Sequence, residues 1–196
     1  MAHWLDFLAW IACVVYSTIP SFWFLIHPRP EYWRSWRRSP YLLLLPAWWL
    51  MWVVVGLATF EWRHVRFYST LWAWIPAGLL FVSGFWLYSR SSKNFSTQQL
   101  GGLPEVLGGE KRQSLVTSGV RAHVRHPVYL AHLSEMLAWS MGTGLTVCYA
   151  LTVFAIVTGA VMIHMEDDEL EKRFGAAYSE YRGRVPAIVP SLRSRV

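Results

Sequence analysis

Apolar residues fall in long runs along the chain, and polar residues in shorter blocks between them. The first run extends from Trp4 to Ile26, carries Pro20 near its end, and stops at His27-Pro28-Arg29-Pro30. A second runs from Tyr41 to Phe60 and a third from Leu71 to Tyr88. A polar stretch from Ser89 to His126 follows, with Gly101-Gly102 and Gly108-Gly109 inside it. A fourth run covers Val128 to Ser140, Gly142-Thr143-Gly144 breaks it, and a fifth covers Leu145 to Met165. About 20 apolar residues in a helix match the roughly 30 Å hydrocarbon core of a bilayer. The pattern therefore predicts an all-α fold, a polytopic membrane helical bundle with about five transmembrane helices. It reads as a single domain over 1–196, with three helices in 1–88 and a second half, 89–196, built on a helical hairpin over 128–165. The fourth run is short for a span, which implies a tilted helix or one enclosed by protein. From Glu166 to Arg182 the sequence is polar and still helical, and Pro186 and Pro190 mark its end.

Charge gives the bundle a direction. Five crossings put all but Arg63 and Arg66 of the 18 Lys and Arg on one side. Such asymmetry places the C-terminus in the cytosol and the N-terminus opposite. The net charge of +6 then reflects topology and anionic lipid headgroups, so nucleic acid is not an expected partner. Several of the 13 Trp, together with Tyr41, Tyr68 and Tyr88, sit at run ends, where aromatic residues anchor helices at the interface. Cys13 and Cys148 lie inside apolar runs and imply neither a disulfide framework nor a zinc site. The N-terminus lacks a basic n-region and a cleavage signal, so it reads as a first spanning helix.

Polar chemistry gathers in two blocks on the arginine-rich side. The first is Leu115 to Tyr129, where Pro127 suits a first helical position. The helix start, with Arg125 and His126, would form a pocket for a carboxylate or phosphate, or anchor the helix to lipid phosphates. The second block begins Glu166-Asp167-Asp168-Glu169 directly after a span, where an ionised group calls for a cationic partner. Tyr178 and Tyr181 share a helix face and would wall a pocket or pack on the membrane surface. His132 and Glu135, one turn apart in the fourth run, are intramembrane ionisable residues, or else a hydrogen-bonded pair inside the bundle.

Taken together, Leu115-Val-Thr-Ser-Gly-Val120, Arg125-His-Pro-x-Tyr129, Glu166-Asp167, Phe174-Gly-x-x-Tyr178-x-x-Tyr181 and Arg184-Val-Pro186 resemble the isoprenylcysteine carboxyl methyltransferase family. Lys93-Asn94-Phe95 resembles a further short segment, and the resemblance covers roughly residues 93–190. It implies a cytosolic C-terminal segment wrapping S-adenosylmethionine, with His126 and Tyr129 on the cofactor and Tyr178 and Tyr181 beside it. Glu166 would hold its amino-acid end, and the backbone at Val185 and Pro186 its adenine. Arg125 and Arg184 would face the methyl acceptor, with Asn94, His132 and Glu135 around it. The acceptor implied is a lipophilic or prenylated molecule entering from the bilayer, and no metal is required. Arg121, Ala131 and Asp167 depart from the family pattern and bear on the shape of the acceptor's pocket. An amine N-methyltransferase and an NADPH-dependent reductase of the sterol-reductase kind are the rival enzymes. His123-x-x-His126 is too short a signal for a metal-dependent oxidase.

Overall fold

The computed structural model describes residues 3–28, 30–92 and 114–189. Its helices are α1 (His3–Trp23), α2 (Pro30–Arg34), α3 (Tyr41–Thr59), α4 (Trp74–Ser92), α5 (Pro127–Thr143), α6 (Thr146–Phe174) and α7 (Ala176–Arg184). Asn94, one of the expected acceptor residues, lies outside the described residues.

Among the described residues, four stretches have the length and composition to cross a bilayer: Trp4–Trp23, Tyr41–His64, Leu71–Ser92 and Thr146–Phe174. The protein is an integral membrane helical bundle. α3 and α4 turn large apolar side chains outward, among them Leu50, Val54, Leu57, Leu79, Val82 and Phe85, as a lipid-facing surface requires. The expected fourth crossing is different in kind. α5 has only 17 residues, about 26 Å at 1.5 Å each, and it is enclosed. Ala131, Ser134, Ala138, Ser140 and Gly142 let α1, α4 and α6 close around it. Its hydroxyls are satisfied locally: Ser134, Ser140 and Thr143 donate to the carbonyls of Leu130, Met136 and Trp139. Small residues substitute for apolar bulk where helix packs on helix inside a membrane.

The helices alternate in direction, so loops far apart in sequence meet at one end. There Arg66 pairs with Asp6 and donates to Thr143 O at 3.2 Å. Backbone bonds Phe67 N–H to Gly144 O (2.9 Å) and Thr146 N–H to Val65 O (3.0 Å) staple the α3–α4 connection to the α5–α6 turn. That turn needs Gly144, whose φ is +69° and where a Cβ would stand 2.3 Å from Tyr68 O.

α6 decides what happens at the opposite end. Its 29 residues span about 44 Å, well beyond a roughly 30 Å core. A helix entering at Thr146 leaves the hydrocarbon near Met165, and Glu166 to Phe174 stand outside it. The expected polar helix from Glu166 to Arg182 is thus two pieces, the last turns of α6 and a separate α7. Gly175 makes the break with φ 58° and ψ −136°, a conformation close to glycine's alone. In an unbroken helix, Tyr178 would lie about 16 Å along the axis from Asp167. The break instead folds α7 back so that the Tyr178 hydroxyl donates to Asp167 Oδ1.

Candidate functional site

The start of α5 is held by the chain's own C-terminal segment. Arg125 N–H donates to Pro186 O at 2.9 Å and His126 N–H to Ala187 O at 3.0 Å. The Arg125 guanidinium continues the clamp, with Nη1 donating to Arg182 O and Val185 O, both at 3.0 Å. Its Nη2 donates to Asp167 Oδ2 at 2.6 Å. The carboxylate expected opposite Arg125 is therefore supplied from within the protein.

Asp167 is the hub. Besides Arg125 and Tyr178, its Oδ1 receives His126 Nε2–H at 2.9 Å. The other His126 nitrogen, Nδ1, lies 3.3 Å from Glu166 Oε2. Consecutive acids on α6 thus bracket one imidazole. Burial alone pulls the His126 pKa down, but the charge of Glu166 and the hydrogen bond to Asp167 outweigh it, and the pKa is raised from 6.5 to about 9. The ring is therefore a cation at neutral pH. Burial first, then the bond to Asp167, pushes the Tyr178 phenol upward. Burial lowers the Arg121 guanidinium against the pull of Glu166. Tyr181 donates to Arg121 O at 2.7 Å, and Arg121 Nη1 to Arg125 O at 3.1 Å, which extends the network around the site.

This network forms one wall of a cavity of about 420 Å³, within the usual range of ligand pockets. Arg125, His126, Tyr129, His132, Glu166, Tyr178 and Tyr181 all line it. The end of α1 and the start of α3 close it with Phe22, Trp23 and Trp48. Glu166 Oε2 is buried and has no aligned hydrogen-bond donor among the described residues. A smaller, apolar cavity of about 190 Å³ adjoins, and shares Ile19, Tyr129 and His132 with the first.

Other expected residues stand elsewhere. Arg184 is 64% exposed, pairs with Glu180 at 3.5 Å and lines neither cavity. Val185 and Pro186 line neither; their carbonyls face Arg125 instead. Glu135 lies outside both linings and accepts the Tyr16 hydroxyl at 2.5 Å. The expected His132–Glu135 bond gives way to this one, with His132 stacked on the Tyr16 ring at 5.1 Å. Sequence reasoning missed Asp167 as the hub, and it missed the aromatic wall from α1 and α3. The acidic pair after a span was the available signal for the first. For the second, only tertiary contact carries it.

The arrangement suits a ligand with a cationic group for Glu166, a flat ring for the aromatic wall, and a reactive atom facing the apolar chamber. Comparison with known proteins adds to the geometry. No protein-family model matches the chain, and no solved structure does. A curated protein-S-isoprenylcysteine O-methyltransferase B from Arabidopsis thaliana is 40% identical over 86 residues, 41% of this chain and 42% of that protein. A Delta(14)-sterol reductase from Mus musculus is 34% identical over 124 residues, 57% of this chain and 29% of that protein. A methanethiol S-methyltransferase 2 from Bradyrhizobium diazoefficiens is 31% identical over 187 residues, 85% of this chain and 68% of that protein. The chain spans less than half the length of the first two and about two thirds of the third.

Proposed function

This chain belongs to the isoprenylcysteine carboxyl methyltransferase-like family of membrane proteins, and from that premise we propose that it is an S-adenosylmethionine-dependent methyltransferase acting on a lipophilic acceptor, of the kind named for isoprenylcysteine. The observation that carries the reading is the pairing of the two cavities. One is polar-walled and holds the Glu166 carboxylate, whose buried Oε2 stands 3.3 Å from His126 Nδ1; the other is apolar and meets it at Tyr129 and His132. The residues present suit the cofactor. Glu166 would take its ammonium, and His126 would hold the Glu166 carboxylate in place. Tyr178 and Tyr181 would wall the cavity, with Val185 and Pro186 behind them. S-adenosylmethionine, when bound, supplies a methyl group on a sulfonium whose leaving group needs no further activation.

The protein's task is then alignment and exclusion of water. In this reading Arg125 positions the site by fixing Asp167, and Arg184, exposed and paired with Glu180, takes no part in its lining. The cavity opens on the arginine-rich, cytosolic side, with the N-terminus opposite. The acceptor would come from the bilayer, along α6 residues Ile156 and Ala160, which are exposed to lipid and also line the apolar chamber. Membrane lipids are the expected surroundings. Methylation of an amine remains a variant of the same reaction.

The similarity to a sterol reductase favours a second reading, binding of NADPH in the same cavity. Calorimetric titration of the purified protein in lipid nanodiscs separates the two. S-adenosylhomocysteine should bind and NADPH should not. Glu166→Gln should weaken that binding about 10-fold or more, because a charge-assisted hydrogen bond contributes about 1.5–3 kcal/mol. Tight NADPH binding without S-adenosylhomocysteine binding would reverse the choice.

A further inference from the structure

The first cavity carries charges of both signs. Among the described residues, Glu166 is the acid in its lining, and Arg121, Arg125 and Arg173 bring guanidinium groups. Acids behind the wall engage two of these: Arg125 donates to Asp167 and Arg173 to Glu169, both at 2.6 Å. Arg121 is different in its neighbour, because its charge and that of the cavity-lining Glu166 act on each other directly. The wall therefore presents a cation and an anion close together.

Arg121 is held in place before any ligand arrives. It lies in a single helical turn, Gly119–Ala122, that precedes α5. Its carbonyl accepts the Tyr181 hydroxyl at 2.7 Å, and its Nη1 donates to Arg125 O at 3.1 Å. A guanidinium fixed in advance loses less freedom when it binds. The side chain is partly buried, and burial disfavours its charge. A carboxylate brought against it offsets that cost, through two parallel N–H bonds. The same wall keeps a further donor: Arg125 Nε–H is buried and meets no acceptor among the described residues.

The amino-acid end of S-adenosylmethionine is a zwitterion, with an ammonium and a carboxylate on one carbon. Glu166 would take the ammonium alone. We propose that Arg121 binds the carboxylate, so that Arg121 and Glu166 together read both charges and make the complete amino-acid end a condition of binding. The inference rests on the methyl-transfer reading above and adds a second residue to its cofactor contact. Arg121 departs from the family pattern, so the device belongs to this chain. Its role is selection, and no bond is made or broken in it. An adenosyl thioether without the carboxylate would cover the guanidinium, strip its water and give it no anion in return. A site built for a polar group rejects an analogue that lacks it for this reason.

The test is calorimetric titration of the purified full chain in lipid nanodiscs with two probes. One is S-adenosylhomocysteine; the other is its decarboxylated analogue, 5′-(3-aminopropylthio)-5′-deoxyadenosine. The wild type should bind S-adenosylhomocysteine about 10–100-fold more tightly than the analogue. In Arg121→Gln, affinity for S-adenosylhomocysteine should fall about 10–100-fold, while affinity for the analogue changes less than about threefold. Arg121→Lys, which keeps the charge without the two-pronged geometry, should retain an intermediate preference. A merely structural role for Arg121 would lower both affinities together, so equal losses on the two probes, including loss of both in both variants, would overturn the proposal. A wild type that does not distinguish the probes, or an Arg121→Gln protein that still does, would overturn it and leave the methyltransferase reading standing. A wild type that binds neither probe would remove that reading and this inference together.

Discussion

Replacing Asp167 by Ala removes one carboxylate and leaves two buried cations without it. Arg125 and Asp167 side chains are 8% and 4% exposed, so solvent does little to screen the loss. Breaking a buried ion pair by removing one partner costs about 3–5 kcal/mol, mostly for the charge left behind. The Arg182 contact to the same carboxylate is longer, 3.7 Å, and the Arg182 side chain is 32% exposed, so it adds little. Asp167→Ala should therefore destabilise the protein by about 3–5 kcal/mol. Asp167→Asn keeps an acceptor for one of the donors and should cost less, about 1–3 kcal/mol. Denaturant titration in nonionic micelles, followed by near-ultraviolet circular dichroism, would measure both. S-adenosylhomocysteine affinity should fall in parallel, because His126 and Tyr178 lose their common anchor. An Asp167→Ala protein within about 1 kcal/mol of the parent would refute the view that this carboxylate holds the C-terminal half together.

Three further expectations follow from single observations. The His126 pKa is raised from 6.5 to about 9, so its contribution to stability is complete below the unfolded value and is lost as pH rises through about 9; thermal unfolding across that window should show the loss, and His126→Phe should flatten it. Gly175→Ala meets no atom within 4 Å, so its cost is backbone strain alone, about 1–3 kcal/mol, measured by the same denaturant titration. At Gly159 a Cβ would sit 3.9 Å from Pro20 Cγ, so Gly159→Leu should fit and fill the smaller cavity. It should leave S-adenosylhomocysteine binding intact and cut methyl transfer, read by incorporation of labelled methyl.

The residues that determine the helices act locally, which is why those helices were legible from sequence. Runs such as Tyr41–Phe60 and Leu71–Tyr88 carry their own hydrophobic length, and the arginine blocks between them set alternation. The polar blocks around Arg125 and Glu166 were visible as blocks for the same reason. Tertiary structure decided the rest. That α5 is enclosed depends on which neighbours close on its small residues, and no stretch of 17 residues records that. Asp167 becomes the hub because Gly175 reverses the chain and brings Tyr178 back, while Arg125 and His126 arrive from 42 and 41 residues away. Arg184 carries the same charge as Arg125 yet faces solvent, since its helix turns that side outward. Hydrophobic length is summed along the chain and can be read there. Pairing of charges depends on distance in space, which only the closed bundle sets.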